Sequence, residues 1–289
     1  MAKTTIDTWE PQFFEQSSLF NSVREVSRPF SQLPQWPTLA QFASEFKKRK
    51  IQSYANQPVH PVAQAGAPET FEDHYESRIY LKGELQTRLE NWHDFFNALC
   101  WLQFPKIKSA LNALHFEASK TRKLGTNRSP LENALTLFDE CGAVIVADED
   151  ALLDRVRQHE WKTLFYETAH WDKNLFRDNK ASSGQHIRCY VVGHAMYEKA
   201  LTPYLGMTAH SVLLKLGSDF FQQPYAGQLA EIDRLVADCW INRKIQQPKD
   251  LQPFPLLGVP GWWQQAQDEA FYANEEYFRS KSRQSMRTE

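Results

Sequence analysis

Gly193-His194, followed by Glu198, is the sharpest place in this 289-residue chain to look for chemistry. The apolar run Ile187-Arg-Cys-Tyr-Val-Val reads as a buried strand, and His194-Ala-Met-Tyr-Glu-Lys-Ala-Leu as the helix after it. Open α/β sheets bind ligands beyond the carboxyl ends of their strands. A helix N-terminus disfavours imidazolium, which keeps His194 neutral and able to act as a base or a metal ligand. Glu198, four residues on, shares its helical face. That spacing can hold one metal ion and equally serves a hydrogen-bonded pair.

A second polar block is Asn91-Trp92-His93-Asp94, with Asn97 one turn later. An imidazole, a carboxylate and an amide so close together can hold a ligand or a metal. The plainer reading makes Asn91 the cap of a helix, with Asp94 as a capping-box-like partner. Asp139-Glu140 is the third candidate. The stretch from Leu135 to Ala147 is read as a hairpin turning at Cys141-Gly142, which places Asp139 on the face of Leu135 and Leu137. A carboxylate on an apolar face breaks the pattern and points to function. Glu140 is then most simply a turn residue. Basic and polar groups stand nearby in the sequence: Arg88, Lys108, Asn112, His115, Arg122, Lys123 and Arg128. They could receive an anionic group, or they could simply solvate the surface. Trp262-Trp263 could stack on a ring, although core packing accounts for them as well.

The elements that must carry these residues follow from periodicity and punctuation. Residues 11–50 are helical, with Thr38 capping a helix that ends in Lys47-Lys48-Arg49-Lys50, where cations oppose the macrodipole. Residues 57–70 read as an extended connector. Ile79, Leu81 and Leu85 around Lys82-Gly83 suggest a short hairpin. Trp92, Phe95, Phe96, Leu99 and Leu102 form one helical stripe, and Pro105 stops that helix and opens the next. Residues 120–130 are a basic polar loop, and 171–185 another loop. Asp148 is expected to cap the helix that follows it. Val212, Leu214 and Leu216 alternate as a strand, and residues 226–243 form a helix. From Pro253 onward the chain is aromatic without a period, as expected of an ordered wrapping segment.

The expected fold is thus α/β or α+β: a helical N-terminal part, then a mixed sheet (a hairpin plus buried strands) flanked by helices. Residues 1–70 form the helical extension and connector, 71–280 a single core domain with its aromatic C-terminal segment, and 281–289 a frayed tail.

Composition narrows the function classes. Lys and Arg total 33 against 35 Asp and Glu, and this absence of a basic excess argues against a nucleic-acid partner. No apolar run approaches the roughly 18 residues that would span a bilayer, so no membrane partner is expected. Met1 to Trp9 lacks the basic and apolar regions of a secretion signal. Four scattered cysteines without a CxxC pair fit small buried thiols in a reducing cytosol. No phosphate-loop, dinucleotide-fingerprint, nucleophile-elbow or HExxH motif is present.

The motifs together resemble a bacterial family catalogued as domain of unknown function 3025. The resemblance is carried by Glu76, Thr87-Arg88, Asn91-Trp92-His93-Asp94-x-x-Asn97-Ala-Leu, Trp101-x-x-Phe104-Pro105-x-x-Lys108 and Leu111-Asn112. Further matches are Leu135-Thr-Leu-Phe-Asp-Glu-x-Gly142, Gly193-His194-Ala-x-x-Glu198, Pro203-Tyr204, Gly258-x-Pro260-Gly261-Trp262 and Phe271-Tyr272. Asn133 departs from the acidic residue expected before Ala-Leu-Thr-Leu. The resemblance implies one architectural unit and no particular activity. It also implies that the polar motif residues belong together: His93, Asp94, Asn97, Asp139, His194 and Glu198 as a convergent site, with Arg88, Lys108, Asn112 and His115 as its rim.

Three functions fit. In the first, a hydrolase-type enzyme holds a divalent metal with His194, Glu198 and His93 or Asp94, helped by Asp139, and acts on a small anionic substrate. In the second, a metal-free enzyme uses His194 or His93 as general base with an acidic partner. In the third, a non-catalytic module binds protein or nucleic acid, and these polar residues scatter through the structure.

Overall fold

The computed structural model of the chain describes residues 7–121, 127–167 and 186–281. The expected loop at 171–185, Arg122 and Lys123, and all but the first residue of the 281–289 tail lie outside the described residues.

Short 3-10 turns and helix α1 (Arg24–Ser27) begin the chain. Helix α2 (Leu39–Arg49) follows, opened by a capping box between Thr38 and Gln41. Its basic last turn ends at Lys50, in the left-handed conformation. Phe13, Phe20 and Phe30 are buried in the same core as the later helices: Phe13 lies edge-on to Phe96, ring centroids 5.1 Å apart.

Strand β1 (His60–Ala63) pairs in parallel with β2 (Glu84–Thr87), and helix α3 (Tyr75–Lys82) makes the crossover. The hairpin expected at Lys82-Gly83 is therefore a helix end. Gly83, at φ +71°, is the left-handed cap of α3, and a Cβ there would stand 2.2 Å from Pro58 O. A positive-φ glycine serves a tight turn and a helix C-cap alike, so its presence could not tell the two apart.

Helix α4 (Trp92–Gln103) starts at its Asn91 cap, and Pro105 opens α5 (Pro105–Thr121). Helix α6 (Pro130–Cys141) replaces the first half of the hairpin expected over 135–147. Its start is built on Ser129, Pro130 at the first position and Glu132 reaching back, a complete capping box. Leu135 and Asp139 still share a face, as an i, i+4 pair on a helix rather than alternate strand positions. Strand β3 (Gly142–Ala147) leaves the end of α6 directly. Asp148 does not cap α7 (Asp150–Gln158); Glu149 occupies the cap position, and Asp148 holds His186 instead.

The rest of the chain supplies β4 (Ile187–Val191), α8 (His194–Ala200), β5 (Thr208–Lys215), α9 (Ser218–Gln222), α10 (Tyr225–Ile241), β6 (Gln252–Pro255) and α11 (Glu269–Tyr272). Four strands form one mixed sheet in the order β4-β3-β5-β6; β3 runs antiparallel to β4 and parallel to β5, and β6 is an antiparallel edge. Its two prolines suit an edge position, and the expected unpatterned C-terminal stretch thus contributes a strand before it wraps. Every residue of β3 is buried. Ala143, Ile145 and Ala147 face the core formed with α4, α7 and α8, whereas Val144 and Val146 face α5, α6 and α10. Helices on both faces explain why this strand carries no polar alternation. The architecture is mixed α/β with a helical N-terminal part. No helix among the described residues is long and apolar enough to cross a membrane.

Candidate metal centre

Sheet topology builds the site. Helix α6 runs into the start of β3, and β4 runs out into α8; antiparallel pairing sets Ala143 opposite Val191. The last turn of α6 therefore meets the first turn of α8. Gly193 permits the approach: its N–H donates to Gly142 O at 2.8 Å, and a Cβ on it would stand 2.3 Å from Gly142 N and 2.5 Å from Glu140 O. Backbone at that distance cannot yield cheaply. Helix α4 packs across α8 and brings its own first turn to the same point.

Three side chains converge there. His93 Nε2 lies 3.0 Å from His194 Nε2, and Glu140 Oε2 lies 3.7 Å from His194 Nε2 and 3.9 Å from His93 Nε2. Among the described residues they form the group able to hold a metal ion. Donors about 2.0 to 2.1 Å from a tetrahedral ion stand about 3.3 Å apart, so these separations bracket the requirement. On the far side of each ring stands a carboxylate. His93 Nδ1 is 2.9 Å from Glu198 Oε2, and His194 Nδ1 is 3.7 Å from Asp139 Oδ2.

Proton bookkeeping makes this arrangement unstable in neutral form. Ionised Glu198 can only accept, so His93 carries its proton on Nδ1 and a lone pair on Nε2. If His194 is protonated on Nε2, it can donate across the 3.0 Å gap. Its buried Nδ1 is then a bare lone pair beside Asp139, with no hydrogen-bond partner. If the proton sits on Nδ1 instead, two lone pairs face each other at 3.0 Å. A proton on His93 or a cation between the rings relieves the conflict. The titration behaviour follows: the Glu198 hydrogen bond raises the His93 pKa above its ordinary value, whereas burial drives His194 down to about 3. Glu140 is raised, chiefly by burial. Neighbouring groups driven apart in this way mark functional sites more often than structural ones.

Each expected site residue has a place. Asp139 accepts from Lys108 Nζ. Burial alone would raise its pKa, but the Lys108 ammonium and His194 hold it below the ordinary carboxylate value. Lys108, itself buried, also donates to Asn97 Oδ1 at 2.8 Å, and Asn97 Nδ2 donates to Tyr75 Oη at 2.7 Å. Asp94 is engaged by Arg88, which donates from its backbone N–H at 2.7 Å and from its guanidinium at 2.8 and 3.0 Å. Asn112 donates to Glu76 at 2.7 Å, and His115 lines the cleft without joining the cluster. Trp262 is buried in the core. Glu140, read from the sequence as a turn residue, joins the two histidines; the Ser129-Pro130-x-Glu132 start of α6 was the signal that could have placed it in a last helical turn.

His93, Glu140 and His194 lie in a cleft of about 1470 Å³. Its walls come from the β1–α3 connection, the start of α4, and α5 with α6; Glu69, Thr70, Arg88, His115 and Arg128 lie along them.

Residues 59–282 match the family model described as Protein of unknown function (DUF3025), and the chain belongs to that family. No curated protein and no solved structure matches it.

Proposed function

For this member of the DUF3025 family we propose a metal-dependent, hydrolase-type enzyme whose divalent ion is held by His93, His194 and Glu140. The observation that carries the reading is the pair of Nε2 atoms 3.0 Å apart with Glu140 beside them, a contact that neutral rings satisfy only by leaving the buried His194 Nδ1 a bare lone pair beside Asp139. Two imidazoles and one carboxylate are a common set for catalytic zinc, manganese or iron, with a coordination position left for water or substrate. An ion bound there lowers the pKa of a coordinated water toward ~7 and polarises a carbonyl or phosphoryl oxygen. Glu198 and Asp139 act on the outer nitrogens. Glu198 orients the His93 ring through its 2.9 Å hydrogen bond, fixes the Nδ1–H tautomer and raises the basicity of Nε2, whereas Asp139, 3.7 Å from His194 Nδ1, acts through its charge. The partly exposed Glu140 faces the cleft and is placed to bind the ion and to take up a proton from an attacking water. The convergence of residues expected to scatter in a purely structural role supports an enzyme over a non-catalytic module.

Elemental mass spectrometry of the native protein tests this. About one equivalent of zinc or manganese, lost in folded His194→Ala, together with chelator-sensitive turnover of p-nitrophenyl esters or phosphodiesters, is the expected result. No metal in native or reconstituted protein overturns the proposal; iron without hydrolytic turnover overturns its hydrolytic half. The 2.9 Å His93–Glu198 hydrogen bond favours one second reading, a metal-free general base oriented by a carboxylate. Chelator-insensitive turnover that is lost in His93→Ala would select it.

A further inference from the structure

A chain of hydrogen bonds leads away from the metal centre and ends on a hydroxyl in the cleft, and its direction is fixed. Lys108 Nζ has only protons to give. It donates to Asp139 and, at 2.8 Å, to the side-chain oxygen of Asn97. The amide of Asn97 cannot be turned round, because its NH₂ would then face the ammonium. Its nitrogen must therefore point at Tyr75, donating to Oη at 2.7 Å. Tyr75 is the acceptor in that bond, so its own phenolic proton is uncommitted. Tyr75 Oη has no other hydrogen-bond partner among the described residues. Tyr75 as a residue is 38 % exposed and lines the cleft that holds His93, Glu140 and His194. Asn97 follows His93 by one turn of α4, about 5 to 6 Å along the same face, which brings the hydroxyl within reach of a group held at the centre. Asn97 and Lys108 are both buried, so solvent does not compete for the chain.

We propose that the Tyr75 hydroxyl is a substrate-binding donor, held with its proton toward the cleft by Asn97, Lys108 and Asp139, and that it receives an oxygen of an oxyanionic group, a carboxylate or a phosphate. The proposal deepens the metal-centre reading and rests on it for the location of the substrate, but the donor itself is built without the metal. Asn97, Lys108 and Asp139 are positioning residues. Because the ammonium lies two bonds behind the hydroxyl, it polarises each link outward, so the phenolic proton is a better donor than that of an isolated tyrosine. Asp139 ends the same chain opposite His194 Nδ1, so one ion pair supports both the metal-facing ring and the substrate-facing hydroxyl.

Tyr75→Phe and Asn97→Asp test this together. In Asn97→Asp both carboxylate oxygens are acceptors, one for Lys108 and one for Tyr75; packing and hydrogen-bond number are kept, but the phenolic proton is turned inward. Inorganic phosphate and acetate are titrated calorimetrically into wild type and both variants, each with and without one equivalent of Co²⁺. Binding of Co²⁺ itself is followed by its visible spectrum. Expected are wild-type Co²⁺ affinity in both variants and at least tenfold weaker binding of the preferred anion in each. Equal anion binding in all three proteins overturns the proposal, as does absence of anion binding to wild type. Because Asn97→Asp also brings a negative charge near the anion, the uncharged Tyr75→Phe is the deciding variant: anion binding to Tyr75→Phe like wild type overturns the proposal whatever Asn97→Asp shows. If wild type binds no Co²⁺ but the anion discrimination holds in metal-free protein, the metal reading fails and the donor stands. If Co²⁺ binds and the discrimination is absent, the reverse is true.

Discussion

His186 and His93 each present Nδ1 to a carboxylate, and the two pairs end in opposite situations. Asp148 accepts from the His186 backbone N–H at 2.7 Å with one oxygen and meets Nδ1 at 2.7 Å with the other. Its own N–H donates to His186 O, and the imidazole stacks on Phe221 at 5.0 Å. Both carboxylate oxygens of Asp148 are thus engaged by His186. At His93 the carboxylate of Glu198 uses one oxygen and leaves Nε2 aimed at a second imidazole. The residue types match, but the supply of partners differs: the Asp148–His186 pair prolongs the β3–β4 ladder by one step, whereas three helix ends deliver His93, Glu140 and His194 to one point. A polar pair that closes on itself stabilises a fold, whereas one that leaves directed lone pairs is equipped to bind.

Substitutions at the two pairs should separate these roles. The largest effect is expected from His93→Ala or His194→Ala, which should weaken Zn²⁺ or Co²⁺ binding at least ~100-fold through loss of a ligand. His186→Ala should leave metal affinity unchanged while lowering stability by about 1 to 3 kcal/mol; equal metal loss in both would erase the contrast. Gly193→Ala comes next. A Cβ 2.3 Å from Gly142 N must push α6 away from α8, and denaturant unfolding should report a loss of about 1 to 3 kcal/mol together with weakened metal binding. An unchanged metal affinity would show that the glycine contact does not set the spacing. Glu198→Gln should cost ~10 to 100-fold in metal affinity, as for other partners of ligand histidines, with little change in melting temperature. The smallest effect concerns a third closed carboxylate. Asp233 accepts from the backbone N–H groups of Ile107 at 2.8 Å and Lys106 at 3.1 Å, capping α5 from α10. Burial raises its pKa to about 6 even against those hydrogen bonds. The folded chain therefore holds this proton more tightly than the unfolded chain does. Its stabilising contribution is complete below the ordinary carboxylate pKa of about 3.8 and fades as pH rises through about 6. Between pH 4 and 7 the stability of wild type should fall more steeply than that of Asp233→Asn; parallel curves would show that Asp233 does not titrate there.

Local signals were legible wherever one residue type has one use. Thr38, Asn91 and Pro105 mark helix starts that the structure retains, and the almost wholly apolar run of β4 leading into His194 placed the strand–helix junction correctly. They failed where a residue type has two uses. Gly83 fits a hairpin or a helix cap, and Leu135-Thr-Leu-Phe alternates as a strand would while also keeping the i, i+4 spacing of a helix. The second ambiguity put Asp139 and Glu140 on opposite faces of a strand. On the last turn of α6 they serve one site together, Asp139 behind His194 and Glu140 in front of it.

The sequence by itself determined the mixed α/β class, the fully buried strand β4 and the histidines worth watching, because burial on both faces and helix capping leave residue-level traces. Only the tertiary structure decided that His93 and His194, 101 positions apart, meet Nε2 to Nε2, and that Glu140 rather than a nearer carboxylate stands beside them. The antiparallel register of β3 on β4 and the close backbone approach at Gly193 set those distances. A contact of that kind depends on which strand edges pair, a choice made by the whole core at once and carried by no short run of residues.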